Sequence, residues 1–101
     1  MRQIWVVDDD RSIRWVLEKA LTRAQMPFRL FESAADVVKA FERDTPSVLL
    51  SDIRMHDMSG LDLLAFVKNK YPGLPVIIMT AFSDLDSAVS AFQGGAYEYL
   101  A

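Results

Sequence analysis

The segment Ile4–Ser12, IWVVDDDRS, sets four apolar residues directly against three adjacent aspartates. Four continuous apolar residues suit a strand buried on both faces, as in a parallel sheet. Adjacent like charges repel unless a cation or a partner offsets them. The abrupt change from IWVV to DDD therefore reads as a strand end where negative charge is gathered at one point.

Two further runs of the same kind follow, SVLL in Ser47–Leu50 and VIIM in Val76–Met79. With shorter apolar and aromatic stretches they predict five strands: Gln3–Val7, Phe28–Phe31, Ser47–Ser51, Val76–Met79 and Tyr97–Leu100. Helical spacing fills the intervals. Ile13, Val16, Leu17, Ala20 and Leu21 form one predicted buried stripe, and Leu85, Ala88, Val89 and Phe92 repeat it. Ser33–Arg43 and Leu61–Lys70 are helical by pattern as well. Ser33 stands three residues before Asp36 and Ser83 three before Asp86, the acidic variant of a capping box. Gly94 and the YPGLP run of Tyr71–Pro75 mark helix stops.

Strand and helix thus alternate four times before a last strand. Right-handed crossovers turn that order into an α/β doubly wound sheet, parallel and five-stranded, of flavodoxin-like order 2-1-3-4-5. Four helices are expected, and the fifth that such a fold carries is missing from the chain. The 101 residues fit one domain, residues 1–101.

Composition excludes several functions. Apolar residues make up 51% and charged residues 25%, so a core can form without disulfides or a structural metal. A net charge of −3 gives no basic face for nucleic acid, and the absence of cysteine removes thiol and zinc-ribbon chemistry. No apolar run approaches the ~20 residues of a membrane helix, and no signal peptide is visible, so a cytoplasmic protein is expected.

In doubly wound folds ligands bind beyond the carboxyl ends of the strands, where strand order reverses. Here that place lies between the first and third strands, which end at Asp8-Asp9 and at Asp52. Three converging carboxylates either raise one another's pKa or bind a hard divalent cation, and Mg²⁺ suits an all-oxygen site. A carboxylate can also be the nucleophile toward phosphorus. Thr80, at the end of the fourth strand, has a hydroxyl placed to donate to a phosphoryl group on Asp52. Asp10 reads as a helix cap, Trp5 as a core residue, Trp15 as partly buried and His56 as a solvated loop side chain.

The stretches VVDDDRSIRWVLEKAL, PSVLLSDIRMHDMSGLDLL and LPVIIMTAFSDLDSAVSAFQGGAYEYL resemble the receiver domain of bacterial two-component response regulators. The closest likeness is to the nitrogen regulatory protein C branch, which activates transcription from sigma-54 promoters. The resemblance spans Ile4–Leu100. It implies Asp52 as phosphoacceptor, phosphorylated by a sensor histidine kinase, and Asp8 and Asp9 as the acidic pair that holds Mg²⁺. Asp52 and the backbone carbonyl of Arg54 complete the implied metal set. Thr80 matches the switch hydroxyl and Tyr99 the switch aromatic, with Ser83–Gln93 as the switch helix. Such a domain assists its own phosphorylation but is not a turnover enzyme, and it makes no direct contact with nucleic acid or membrane.

Two departures from the family pattern stand out. The chain stops before the family's usual lysine, and His56 replaces the proline of the loop after the acceptor. Loss of the last helix is expected to expose an apolar strip and favour self-association. A pseudo-receiver that only binds proteins is one alternative. An aspartate-nucleophile phosphatase of the haloacid dehalogenase type is another, since DDD contains its Asp-x-Asp motif. That second alternative needs a cap, a lysine and a distal acidic pair for which the chain has no room.

Overall fold

The computed structural model of the protein describes residues 2–79 and, in backbone, residues 98–100. Its elements are β1 (Ile4–Val7), α1 (Arg11–Arg23), β2 (Phe28–Phe31), α2 (Ala34–Ala40), β3 (Val48–Asp52), α3 (Gly60–Lys70), β4 (Val76–Met79) and β5 (Glu98–Leu100). All strand pairs are parallel, in the order β2-β1-β3-β4-β5. The expected doubly wound sheet is therefore present. The expected Ser83–Gln93 helix and Thr80 lie outside the described residues.

The two faces of the sheet are covered unequally. Along β3 and β4 burial alternates, with Leu49, Ser51, Val76 and Ile78 buried and Val48, Leu50, Ile77 and Met79 only half-buried. The fully buried face belongs to the main core. There Trp5, Val7, Leu49, Val76 and Ile78 pack with Ala34, Val37, Phe41, Leu63, Leu64 and Val67 from α2, α3 and their margins. Trp5 anchors it, its ring 5.2 Å from Phe31 and 5.0 Å from Phe41, tilted against both as aromatic quadrupoles favour.

The helix on the thinner face departs from its predicted stripe. No residue of α1 is buried. Its half-buried side chains are Arg14, Leu17, Glu18 and Leu21, while Ile13, Val16 and Ala20 are exposed. Trp15, expected to be partly buried, is 59% exposed and carries the Lys19 ammonium 5.5 Å from its ring centre. The physical reason is that periodicity marks an apolar face without fixing how the helix rolls on its support. Leu17 and Leu21 turn inward, and Ile13 and Val16 turn out.

Helix starts follow local hydrogen bonding. Asp10 caps α1, its carboxylate accepting the Ser12 N–H at 2.8 Å. Ser33 caps α2 through the Asp36 N–H, as the spacing predicts, and Ser59 caps α3 through the Asp62 N–H in the same way.

Candidate functional site

Parallel register brings the acids together. Val7 of β1 pairs with Ser51 of β3, so Asp8 and Asp52 are the next residues along two adjacent strands at their carboxyl ends. Asp9 follows at once. The three side chains offer oxygens that all lie within 4.8 Å of one another.

Each acid is held differently. Asp8 continues the ladder of β1 by donating its N–H to the Phe31 carbonyl at 3.1 Å, and its carboxylate accepts the Asp10 N–H at 2.8 Å. Its carbonyl accepts the Arg14 guanidinium, which explains why a charged residue lies on the inward side of α1. Asp9 accepts the His56 N–H on Oδ2 at 3.1 Å. Asp52 sits where β3 meets its loop, and the next residue, Ile53, donates to the Met79 carbonyl at 3.0 Å. Beneath it Ser51 is fully buried and donates its hydroxyl to the Asp52 carbonyl.

These surroundings disfavour three negative charges. Burial pushes the Asp8 carboxyl up to about 6, against a smaller opposing pull from the Asp10 N–H; the charges of Asp52, Asp9 and Asp10 push it further. Burial also raises Asp52, partly countered by the N–H groups of Arg54 and Ile53, while Asp9 and Asp10 add repulsion. A cation relieves this strain. Hard oxygen donors at this spacing, in a pocket that penalises uncompensated charge, fit Mg²⁺.

The loop after β3 is tied down at three points. Gly60 donates to the Ile53 carbonyl at 2.7 Å, placing the first residue of α3 directly against the backbone behind Asp52. A β-carbon at Gly60 would stand 2.2 Å from the Asp52 carbonyl oxygen, so only glycine fits. His56 holds Asp9. Asp57 reaches α2, its carboxylate accepting the N–H groups of Ala34 at 3.3 Å and Ala35 at 2.8 Å. Those hydrogen bonds, the one from Ala35 foremost, lower the Asp57 pKa.

Of the residues singled out in the sequence, the structure brings Asp8, Asp9 and Asp52 together. The loop carries Arg54 beside Asp52, through its backbone N–H. Tyr99 falls on β5 opposite Ile78, and Thr80 is outside the described residues. Sequence reasoning missed Asp57 and the contact of His56 with Asp9, because their partners are 22 to 47 residues away. A concavity along Arg14, Arg29, Glu32, Asp36, Lys39 and Arg43 has charges of both signs and includes none of the three aspartates.

A flavodoxin-like sheet with acids clustered at the ends of its first and third strands defines a class. The chain belongs to the response regulator receiver domain family, whose sequence profile matches residues 4–101. Its likeness is to receivers of the NtrC type. It is 65% identical over 97 residues to the DNA-binding transcriptional regulator NtrC of Proteus hauseri, an overlap of 96% of this chain and 20% of that protein. The solution structure of the BeF3-activated receiver domain of NtrC matches with a TM-score of 0.81 at 58% identity, over 99% of this chain and 82% of that one. The crystal structure of the response regulator TrrA from Thermotoga maritima, in complex with Mg²⁺-BeF, matches with a TM-score of 0.87 at 29% identity, over 99% of this chain and 85% of that one. The chain spans about a fifth of the length of the NtrC relatives it matches.

Proposed function

We propose that this receiver takes a phosphoryl group onto Asp52 from a sensor histidine kinase, with Mg²⁺ held by Asp8, Asp9, Asp52 and the Arg54 carbonyl. The observation that carries the reading is the meeting of the three carboxylates at the switch point of the sheet. An Asp52 carboxylate oxygen attacks phosphorus, the bond from phosphorus to the kinase's histidine nitrogen breaks, and an acyl phosphate forms on β3. Mg²⁺, when bound, supplies positive charge that offsets the acids and the phosphoryl oxygens. The N–H groups of Ile53 and Arg54 hold the attacking carboxylate in place. Its raised pKa makes it more basic than a solvated aspartate, hence a better nucleophile once ionised.

The added charge, about −2 near neutral pH, then biases a two-state surface. Thr80 and Tyr99 are the proposed switch residues, and residues 1–101 the proposed receiver unit. In the whole protein the outcome is transcriptional control linked to nitrogen supply, acting in the cytoplasm. No helix among the described residues is long and apolar enough to cross a membrane.

The test is incubation with acetyl phosphate and Mg²⁺, followed by intact mass measurement. A single base-labile phosphoryl adduct is expected, absent in Asp52→Asn and after chelation of the metal. An adduct that survives Asp52→Asn, or no adduct at all, would overturn the reading. Multiple turnover of a phosphate ester would instead support a phosphatase.

The thin face of the sheet supports self-association. Ile13 is 42% exposed and Val16 54% exposed, and neither α1 nor half-buried Leu50 and Ile77 belong to the main core. A patch of this kind covers itself by meeting its own copy across a two-fold axis. Sedimentation velocity is expected to show a weight-average coefficient that rises with concentration through the micromolar range. Ile13→Lys with Val16→Lys should abolish the rise, whereas concentration-independent sedimentation of the unmodified chain would contradict it.

A further inference from the structure

His56 is the single histidine of the sequence, and it stands beside one of the three clustered acids. Its ring Nδ1 lies 3.4 Å from Asp9 Oδ2, the same oxygen that accepts its backbone N–H at 3.1 Å. The ring is 95% exposed, so turning it toward a cation between the acids breaks no buried contact. Two neighbouring donors on one octahedral ion, with bonds near 2.1 Å, sit roughly 3 Å apart. At 3.4 Å Nδ1 lies farther from Oδ2 than that and stands outside the cluster of the three acids, so the ring joins a shared ion by turning inward.

The ligand chemistry separates cations. Mg²⁺ takes oxygen and gains little from an imidazole, whereas Co²⁺, Ni²⁺ and Zn²⁺ gain strongly when a nitrogen joins an oxygen set. We propose that His56 is a nitrogen ligand that lets this acidic site take a borderline transition cation in preference to Mg²⁺. The backbone hydrogen bond to Asp9 already fixes the residue at the mouth of the site. Only the two torsions of the ring remain to be ordered, which keeps the entropic cost of ligation low.

The inference rests on the reading of Asp8, Asp9 and Asp52 as a cation site, and its test separates the two. Tag-free protein and the variants His56→Ala and His56→Asn, which keep the backbone N–H, are titrated calorimetrically with Mg²⁺ and with Ni²⁺ at neutral pH. Ni²⁺ affinity is expected to fall about tenfold or more in both variants, while Mg²⁺ affinity stays within about twofold. Zn²⁺ is expected to shift the Nδ1 resonance of the lone imidazole in a nitrogen-15 spectrum. Equal Ni²⁺ affinities with and without the ring, with Mg²⁺ still bound, would overturn the role of His56 and leave the cation site standing. A parallel fall for both cations would make His56 a positioning residue for Asp9 and overturn ligation. No binding of either cation to the unmodified chain would overturn the cation site itself.

Discussion

Gly60→Ala is expected to destabilise the protein by about 1–3 kcal/mol and to slow phosphorylation of Asp52. The added β-carbon would stand 2.2 Å from the Asp52 carbonyl oxygen and 2.7 Å from the Ile53 α-carbon. Both are backbone atoms that no side-chain rotation can clear. Either α3 moves outward, loosening Leu63, Leu64 and Val67 from the core, or the strand end carrying Asp52 shifts out of the Val7–Ser51 register between β1 and β3. The first route lowers stability and the second misplaces the Asp52 carboxylate. For a domain of this size each kcal/mol lowers the melting temperature by about 4–8 °C. Gly73 supplies the control, since a β-carbon there meets nothing within 4 Å. Gly73→Ala should leave the melting temperature and the rate of adduct formation unchanged. Equal behaviour of the two variants would show that the contact behind Asp52 is not tight.

The second large effect is a dependence of stability on pH that runs opposite to ordinary acid denaturation. The Asp8 carboxyl has a pKa of about 6 in the folded chain, against an ordinary value of 3.8. Between those values the folded state holds a proton that the unfolded state has released, so stability falls as pH rises. The contribution is complete below about pH 4 and is lost by passage through about pH 6. Asp8 is only 4% exposed, so little of the shift is screened by solvent. A two-unit shift corresponds to about 3 kcal/mol at most. Asp52, also raised, adds in the same direction, whereas Asp57, lowered by its hydrogen bonds to α2, contributes stability that is lost only at more acid pH.

Urea midpoints with divalent ions chelated are therefore expected to be lower at neutral pH than near pH 5. Asp8→Asn should flatten that difference. Mg²⁺ should restore the midpoint at neutral pH, because a cation that binds the ionised cluster favours the folded state. Parallel profiles for the unmodified chain and Asp8→Asn would show that Asp8 does not carry the effect.

Much of the site was legible because strand ends are legible. The IWVV and VIIM runs place β1 and β4 within a residue of their observed bounds, and parallel register then fixes which residues at the ends are neighbours. Asp8, Asp9 and Asp52 need no more than that. Ser33 was legible for a different reason, because its cap spans only three residues. Packing on the thin face was not legible. The spacing of Ile13, Val16, Leu17, Ala20 and Leu21 defines an apolar arc, but which edge of the arc meets the sheet depends on partners such as the Asp8 carbonyl, which draws Arg14 inward. The loop was hidden from periodicity altogether. His56 and Asp57 are polar residues in a polar loop, and their hydrogen bonds to Asp9 and α2 exist only after the sheet has formed.

The convergence of sequence-remote acids is tested most directly by adding substoichiometric Mn²⁺ to nitrogen-15-labelled protein and recording which amide resonances broaden. If Asp8, Asp9 and Asp52 share one cation, residues 8–10 and 52–54 lose intensity together, Gly73 and Leu74 keep theirs, and Mg²⁺ in excess restores the spectrum. Broadening confined to residues 8–10, or spread over the exposed acids without selection, would contradict it.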